Sequence, residues 1–583
     1  MDRICPATGT PHTILELDGG ALALAGPDGM ELVRGTSRSL LFDAPVDAAA
    51  RGPDNAVYCT SGAAISRVAL DRQAPTDLRA KFAGAPQGHR PIRCAPDGEI
   101  WVEGCANRRR VDGTFAANPP APTGMGLRPA PWAWDMAGNR WCLYAGPGGA
   151  QALVLPANAP DRWQPGWLPP GRWDWLVADR VGAVWAGGPD GLRRFCAREH
   201  DRGWRAVTGL PSAPISAALS PDDLLMVAFD SGLVAELDVD ADGEANLSPI
   251  AELGGRVHAL HTARDGAVWA VTDSGLHRRA PAPDAWQRAW RAKRGRLPGG
   301  GNHDVFSVEA GGRLYLAGGW AGCWGIPPQR HVLDELFAYD PATEYWTAVS
   351  RMRHNRRYNG IAALDGEVWI VGGETRTPDW PADGQVLYTV DVYDPRADHW
   401  RPGPSLHVAR TDPFVVNCAG RIWAIGGAAH NSGPKLDSVE SIGPGEEAWR
   451  SEPSLPEPTR QGHGCALDGV IYCASIDGVF AFDTASGRWD PDLPQPGPIG
   501  QGPLAAAFEG EVWILGGHGD RRVRIFDPRA RAWRTGPDLP VGLAWAAAQV
   551  LGGELVLVGG AYAEDRHDAT VYEDRTFALH RGA

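Results

Sequence analysis

Three arginines recur in the second half of the sequence, each shortly after a Leu-Pro or similar turn and just before an apolar segment: Arg356, Arg410 and Arg460. A guanidinium group is a planar fork of N–H donors that matches a carboxylate or phosphate bidentately. Converging arginines would therefore bind an acidic ligand. The alternative is that they pair with neighbouring carboxylates, such as Asp412 or Glu457, and hold the structure together.

Histidines occur in comparable places, at His303, His354, His463 and His518. Three neutral imidazoles around an open position would suit a catalytic zinc or iron ion. His354 and His463 are also candidates to move a proton as a general acid or base. The spacing does not specify a metal, because isolated histidines on separate loops are more often exposed or hydrogen-bonded. The cofactor, if any, stays unknown.

Internal repeats must position these residues. In the second half, an apolar strand runs into Gly-Gly, followed by a variable loop, a strand ending in Tyr-Asp or Phe-Asp, and a Trp. Six copies predict a six-bladed β-propeller at residues 299–583. Five copies carry the glycine pair, and the sixth has lost it: 318–319, 372–373, 426–427, 516–517, 559–560 and the degenerate 474–476.

The first half carries a different repeat, in which a turn with Asp-Gly or a relative precedes an apolar strand and a later Gly-Leu opens the next strand. The Asp-Gly step supplies the positive φ of a tight hairpin. Seven copies predict a seven-bladed propeller at residues 1–298, with Trp290 in its last strand. The fold class is therefore all-β, with two propellers in tandem. The copies begin at 19, 54, 96, 137, 181, 222 and 265.

The second set of repeats resembles the kelch family, and the first resembles the sensor-type propeller repeats of two-component regulators. The kelch resemblance implies that the loops entering each first strand share a face with the loops after each glycine pair, and that arginines there line a central funnel. The last repeat supplies its own fourth strand at 576–579, which leaves no separate latch in 299–303. The ligand-binding residues implied on this face are Arg356, Arg410, Arg460, Trp320, Trp324 and Trp380.

Composition limits the choice of partners. A formal net charge of −14 without a sustained basic face disfavours nucleic acid. The sequence contains no run of about 18 apolar residues, so it predicts no membrane span. Ten cysteines without CxxC pairs indicate reduced, structural thiols and a cytoplasmic protein.

The sequence supports two functional hypotheses. The first is a cytoplasmic double-propeller recognition scaffold that binds a protein or an acidic ligand at the kelch loop face. The second is an isomerase, epimerase or lyase, metal-dependent or not, that acts on a carboxylated or sugar-like small molecule in the kelch funnel. The sequence alone leaves open whether the protein is an enzyme.

Overall fold

A computed structural model of the 583-residue chain divides into two compact units. Unit 1 comprises Met1–Pro283, and unit 2 contains Asp284–Gly322 and Gln329–Ala583. Trp324 and Trp380 lie outside the described residues. The structure describes residues 2–5, 11–35, 37–62, 64–70, 75–82, 92–95, 98–102, 107–117, 132–134, 139–146, 149–155, 164–166, 168–179, 183–196, 203–220, 225–240, 243–263, 266–280, 289–298, 301–322, 330–376, 384–430, 433–564 and 569–579.

The described part of unit 1 forms seven four-stranded antiparallel sheets, numbered here in chain order. Short 3-10 turns occur at Asp18–Gly20 and Arg79–Lys81. The strands are, for sheet 1, Thr13–Glu16, Leu22–Gly26, Gly29–Arg34 and Ser37–Phe42; for sheet 2, Ala48–Arg51, Val57–Ser61, Ala64–Val68 and Thr76–Asp77; for sheet 3, Ile92–Cys94, Ile100–Val102, Asn107–Arg109 and Phe115–Ala117; for sheet 4, Trp132–Trp134, Arg140–Gly146, Gly149–Leu155 and Gln164–Pro165; for sheet 5, Trp175–Ala178, Ala183–Gly188, Gly191–Cys196 and Trp204–Ala206; for sheet 6, Pro214–Leu219, Leu225–Phe229, Leu233–Val239 and Ala245–Glu252; and for sheet 7, Val257–Thr262, Val268–Thr272, Gly275–Arg279 and Asp2–Cys5.

The described part of unit 2 forms six such sheets. Their first strands contact one another in succession, and the first strand of sheet 1 contacts that of sheet 6. The strands are, for sheet 1, Ser307–Ala310, Arg313–Ala317, Glu335–Asp340 and Tyr345–Arg351; for sheet 2, Gly360–Leu364, Glu367–Val371, Val390–Asp394 and His399–Gly403; for sheet 3, Phe414–Cys418, Arg421–Ile425, Val439–Ile442 and Arg450–Glu452; for sheet 4, His463–Leu467, Val470–Ser475, Gly478–Asp483 and Arg488–Trp489; for sheet 5, Leu504–Phe508, Glu511–Leu515, Val523–Asp527 and Ala532–Thr535; and for sheet 6, Ala547–Leu551, Glu554–Val558, Thr576–Leu579 and Trp290–Ala292.

Three small sheets lie in the loops of unit 2, and each contains a strand that begins just after a glycine pair. The all-β fold built of four-stranded sheets is thus confirmed. Within the described ranges, no helix is long and apolar enough to cross a membrane. The small sheets are Asn302–His303 with Trp320–Gly322 and Arg330–Val332; Glu374–Thr375 with Gln385–Val386; and Ala561–Glu564 with Ala569–Tyr572.

The glycine pairs join neighbouring sheets of unit 2. In the pair Gly372-Gly373 both residues have positive φ, at 61° and 95°, which other residues adopt only with strain. The second glycine donates its N–H to the carbonyl of Arg410, in the segment that leads into the next sheet, at 2.9 Å. A Cβ on the first glycine would lie 2.7 Å from that same carbonyl oxygen. The equivalent N–H donors and carbonyl acceptors are Gly319 to Arg356, Gly427 to Thr459, Gly517 to Leu543 and Gly560 to Asn302.

The tryptophans of the repeats make a second kind of contact between neighbouring sheets. Trp400 packs on the aromatic residue of its own Tyr-Asp motif, Tyr393, with ring centroids 5.0 Å apart. Indole N–H groups then reach back to the preceding sheet, as in the bonds from Trp449 to the carbonyl of Pro404 at 2.8 Å and from Trp533 to that of Pro494 at 2.7 Å. An aromatic ring and one directional hydrogen bond thus set the spacing of adjacent sheets.

The strand at Trp290–Ala292 corrects the expectation for ring closure. It pairs with Thr576–Leu579, which is the third strand of sheet 6 and not the fourth. Trp290, assigned from sequence to the first propeller, therefore belongs to unit 2. Because Asp2–Cys5 forms the outer strand of sheet 7 in unit 1, each unit is closed by a strand that precedes its first sheet.

We expect Trp290→Ala to destabilise unit 2 by about 3–5 kcal/mol, because the indole is buried in sheet 6 and a cavity would remain. Hydrogen exchange measured by mass spectrometry should speed up in peptides that cover Ala547–Leu579. Arg291→Ala, at an exposed position of the same strand, is the matched control. Faster exchange confined to Val257–Arg279 would contradict the assignment.

Candidate functional site

The first strands of unit 2 are approached by lead segments, the residues just before each first strand. One residue in each lead segment has positive φ, between 51° and 60°, and together they form what we call the mouth ring. Backbone N–H groups link consecutive members, as from Tyr358 to Asp304 at 3.4 Å and from Asp412 to Tyr358 at 2.9 Å. The ring therefore narrows one end of the unit. Its members are Asp304, Tyr358, Asp412, Gln461, Gly502 and Trp545.

The mouth ring is incomplete at one place. Bonds run from Gly502 to Gln461, from Trp545 to Gly502 and from Val305 to Trp545, but the described backbone bonds include none between Gln461 and Asp412. The break lies beside sheet 4, whose second and third strands are joined by only two residues, Ile476 and Asp477. The break in the ring therefore lies next to Asp412, which is itself buried.

Arg356 and Arg410 do not line an open funnel, contrary to the expectation from sequence. Both side chains are fully buried. Arg356 donates to the carbonyls of Gly372 and Thr389, each at 2.9 Å, and to Asp391 at 2.6 Å. Burial lowers the pKa of the guanidinium, and the adjacent Asp391 opposes that shift. The arginine thus fixes the glycine pair of its own sheet.

Arg410 repeats this arrangement one sheet later. It donates to the carbonyls of Gly426 at 3.0 Å and Ser438 at 2.9 Å, and to Glu440 at 2.5 Å. The hypothesis that arginines pair with carboxylates inside the structure was therefore the better one for both residues. The partners are Asp391 and Glu440, not the Asp412 and Glu457 suggested by proximity in sequence.

Arg460 and Trp320 lie closer to the mouth ring. Arg460 is half-buried, and its charge acts on Asp412. Trp320 is also half-buried, with the guanidinium carbons of Arg357 and Arg376 lying 4.2 Å and 5.0 Å from its ring centroid. The ring of Trp320 is therefore already in cation–π contact with two guanidinium groups, so it is not a free side chain that could anchor a ligand.

The four histidines do not converge. His354 and His518 are exposed, and His303 bonds to its neighbour Asp304 at 2.8 Å through Nδ1. His463 is buried against Phe306, with ring centroids 5.3 Å apart, and burial lowers its pKa to about 4. Within the described residues no group of three His, Cys, Asp or Glu side chains could hold a metal.

A cluster of buried charges at the mouth ring escaped the sequence analysis. We call Asp304, Arg357, Glu374 and Asp412 the mouth cluster, and at most 5% of any of these residues is exposed. Arg357 donates to Glu374 at 2.8 Å and lies 3.9 Å from Asp304. Burial and the nearby Asp304 raise the pKa of Asp412 to about 8. The sequence held one clue to this cluster, which is that Asp304 and Asp412 occupy the same place in their lead segments.

A cavity of about 420 Å³ lies along the first strands of unit 2. Small side chains such as those of Ala362 and Ala506 line it together with the polar side chains of Glu309, Asn417 and His463. None of the described residues that line it is an arginine or a lysine, so it offers no cation to a carboxylated ligand. The cavity therefore does not supply the arginine-lined funnel that the enzyme hypothesis requires.

Exposed apolar side chains are grouped at the loop end of unit 2, the end at which first strands begin and second strands end. Tyr388, Val408 and Ile476 are 53%, 36% and 45% exposed, and they belong to sheets 2 to 4. They account for three of the four large hydrophobic residues that are exposed in the described ranges. We call these three residues the apolar patch.

Four-stranded antiparallel sheets, glycine pairs and interlocking tryptophans define a protein of the β-propeller type. The kelch motif model matches residues 303–353 and 355–407, both in unit 2. This region therefore contains kelch motifs, as its repeats predicted. The resemblance of the first half to sensor-type propellers stays a prediction.

Curated relatives are kelch-like proteins. The chain is 26% identical to kelch-like protein 35 of Mus musculus over 40% of its length, and 26% identical to kelch-like protein terF of Aspergillus terreus over 38%. It is 23% identical to kelch-like protein 23 of Mus musculus over 44%. The matches span 38%, 53% and 45% of those proteins, about half of their length.

We expect Arg356→Ala to cost about 3 kcal/mol of unfolding free energy, because it removes the buried donor to the carbonyls of Gly372 and Thr389 and leaves Asp391 with one arginine instead of two. Arg376→Ala, at a half-buried position on the same face, should cost far less. Urea denaturation followed by tryptophan fluorescence measures both. Equal small losses would show that Arg356 is not a structural residue.

The free energy of unfolding should fall as the pH rises towards 8 because of Asp412. Its folded pKa of about 8 lies above the ordinary value, so the folded state holds a proton that the unfolded state releases. This stability is complete below pH 4 and is lost as the pH passes 8. Each unit of pKa difference is worth about 1.4 kcal/mol.

Asp412→Asn mimics the protonated acid and tests this expectation. The variant should come closest to wild type in urea denaturation at pH 4, where the unfolded state still holds much of the proton, and exceed it by a few kcal/mol at pH 8.5. Glu457→Gln, at an exposed position, should follow wild type at both values. A pH-independent difference between Asp412→Asn and wild type would contradict the raised pKa.

Proposed function

We propose that the protein is a cytoplasmic recognition scaffold whose kelch unit binds a protein partner at its loop end, with the apolar patch as the anchor. The observation that carries the proposal is the grouping of Tyr388, Val408 and Ile476 at one end of three consecutive sheets. Large apolar side chains left exposed at one end of a folded unit indicate an interaction site. Burying a tyrosine or isoleucine in a partner's pocket supplies the central contacts of an interface.

The patch is held in place before any partner arrives. The carbonyl of Tyr388 accepts from the N–H of Leu406 at 2.9 Å, and Glu440 accepts from the N–H of Val408 at 3.2 Å. The turn with Ile476 is fixed on its next residue, because Asp477 pairs with Lys435 at 2.6 Å. Preorganised anchors lose little conformational entropy on binding, which favours affinity.

The acidic ligand that the arginines suggested receives less support, since Arg356 and Arg410 are occupied inside their sheets. An enzyme acting in the funnel receives none from these contacts, because His463 is buried and neutral and no arginine is among the described residues that line the cavity. A protein partner is therefore the occupant that the described surface fits best.

The test uses the whole protein as bait in a lysate, comparing wild type with the double variant Tyr388→Ala, Ile476→Ser. Each lost anchor should weaken binding by about tenfold, equivalent to about 1.4 kcal/mol. The captured protein is then purified and titrated calorimetrically against both forms. Leu40→Ser, which removes an exposed apolar side chain from unit 1, is the control and should bind like wild type. Equal affinity of wild type and the double variant would overturn the proposal.

A further inference from the structure

The cavity along the first strands of unit 2 ends at two stacked rings. Sheets 1 and 4 lie opposite each other in the circle of six sheets, because the first strands contact one another in chain order. Phe306, just before sheet 1, and His463, at the start of sheet 4, nevertheless stack with ring centroids 5.3 Å apart. Both residues line the cavity, and each follows its mouth-ring residue, Asp304 or Gln461, by two positions. The pair therefore lies across the axis between the cavity and the mouth ring, and we call it the floor.

The other end of the cavity is reached by solvent. Each first strand contributes its second-last residue to the lining, and these six residues form what we call the exit ring. None of the six is fully buried, and Asn417 is exposed. A small molecule can therefore enter from the end opposite the loop end. The exit ring consists of Glu309, Ala363, Asn417, Ala466, Ala507 and Val550.

Small side chains create the space between the floor and the exit ring. The lining includes seven alanines and Gly464, so no large side chain from sheets 2, 4 or 5 fills the axis at these levels. The resulting volume of about 420 Å³ falls within the range of roughly 300–1,000 Å³ that is typical of small-molecule sites.

The charge of the lining favours a neutral ligand. Glu309 is the one ionised side chain among the described lining residues, because burial lowers the pKa of His463 to about 4 and leaves it neutral. An anion would meet this carboxylate with no arginine or lysine to offset it. Glu309 already accepts the backbone N–H of Gly312 at 2.8 Å, so its carboxylate is not without a donor.

The wall offers hydrogen-bond donors and acceptors together. The first strand is the inner edge of each sheet, so alternate backbone N–H and C=O groups point away from the second strand. One such carbonyl, that of Ala363, accepts the side-chain amide of Asn417 at 2.6 Å. Gln549 adds a second amide to the lining, and Ser307 Oγ and His463 Nδ1 have no hydrogen bond. Hydroxyl groups suit such a wall because each one can donate and accept.

The same wall also has apolar surface. The ring of Phe306 lies at the floor, and Val308, Val415 and Val416 line the sides. A ligand that matches the whole wall therefore carries several hydroxyls on a compact frame of C–H groups. Cyclic polyols have this composition.

We propose that the cavity of unit 2 binds a neutral cyclic polyol of monosaccharide size, entering through the exit ring. Its hydroxyls bond to the strand edges and the amides of Asn417 and Gln549, and its C–H groups pack against Phe306 and the valines. The ligand is either a pyranose sugar or a carbocyclic polyol, and it is bound without being converted. The inference does not rest on the proposed protein partner, because the exit ring lies at the other end of the unit from the apolar patch.

The test is saturation-transfer difference NMR on the full chain with D-glucose and myo-inositol as probes. We expect saturation to reach the C–H protons of at least one probe. Tighter binding of D-glucose identifies a pyranose as the ligand class, and tighter binding of myo-inositol identifies a carbocycle. D-glucuronate, which adds a carboxylate to the glucose ring, should bind at least about tenfold more weakly than D-glucose. Absence of transfer to both neutral probes, or equal binding of D-glucose and D-glucuronate, would overturn the proposal.

Variants assign the signal to the cavity. The double variant Ala363→Trp, Ala507→Trp narrows the exit ring from two opposite sheets and should abolish transfer. Ala530→Trp places the same side chain on an exposed turn and should behave like wild type. Transfer that persists unchanged in the double variant would show that the polyol binds elsewhere and would overturn the site.

A second variant keeps the test valid if the double tryptophan variant does not fold. Gln549→Leu removes one amide while keeping the side chain's bulk, and it should weaken polyol binding by about three- to tenfold. Unchanged affinity in this variant would contradict the role given to Gln549 and the exit end of the cavity. Tyr388→Ala, Ile476→Ser should bind the probes like wild type, so the polyol site and the apolar patch fail separately.

Discussion

The hydrogen bond from the second glycine of a pair to the lead segment of the next sheet is the contact on which unit 2 depends. It needs two consecutive residues with positive φ and no side chain between backbone and carbonyl, as at Gly372-Gly373. The bond from Gly560 to Asn302 connects sheet 6 to sheet 1, so the same interaction closes the circle. Because five of the six lead segments are held in this way, the residues that follow them are set in place to form the mouth ring.

Sheet 4 lacks the glycine pair, and its lead segment is held to the end of its own second strand in another way. There, Thr459 and Ser475 join through their hydroxyls at 2.8 Å, and Thr459 also bonds Asp477. Side-chain bonds thus take over a role that arginine has in sheets 2 and 3. The short turn that replaces the loop exposes Ile476 and lies at the break in the mouth ring. The most degenerate repeat is therefore the one that lies beside the break in the mouth ring.

The architecture could be predicted because repeats record it directly: glycine pairs, Tyr-Asp steps and tryptophans each have one local geometric role. The closing strand at Trp290–Ala292 could not be assigned from sequence, because a single Trp that follows an apolar stretch fits the end of either propeller. Only its pairing with Thr576–Leu579 shows that it belongs to unit 2. The site was harder to predict than the fold. Arg356 and Arg410 have the right chemistry for an anion, but their carboxylate partners lie 35 and 30 residues away in sequence, at Asp391 and Glu440. The mouth cluster required knowing that Asp304 and Asp412 are both buried at the same end.

Closure by a preceding strand has a consequence for synthesis on the ribosome. Trp290–Ala292 is made long before its partner Thr576–Leu579, and Asp2–Cys5 long before Gly275–Arg279. At the usual rates of translation the early strand waits on the order of tens of seconds for its partner. During that time each nascent unit has an unpaired strand edge and cannot become a closed ring. Each unit must therefore gain its final stability late and all at once, when its last sheet is completed.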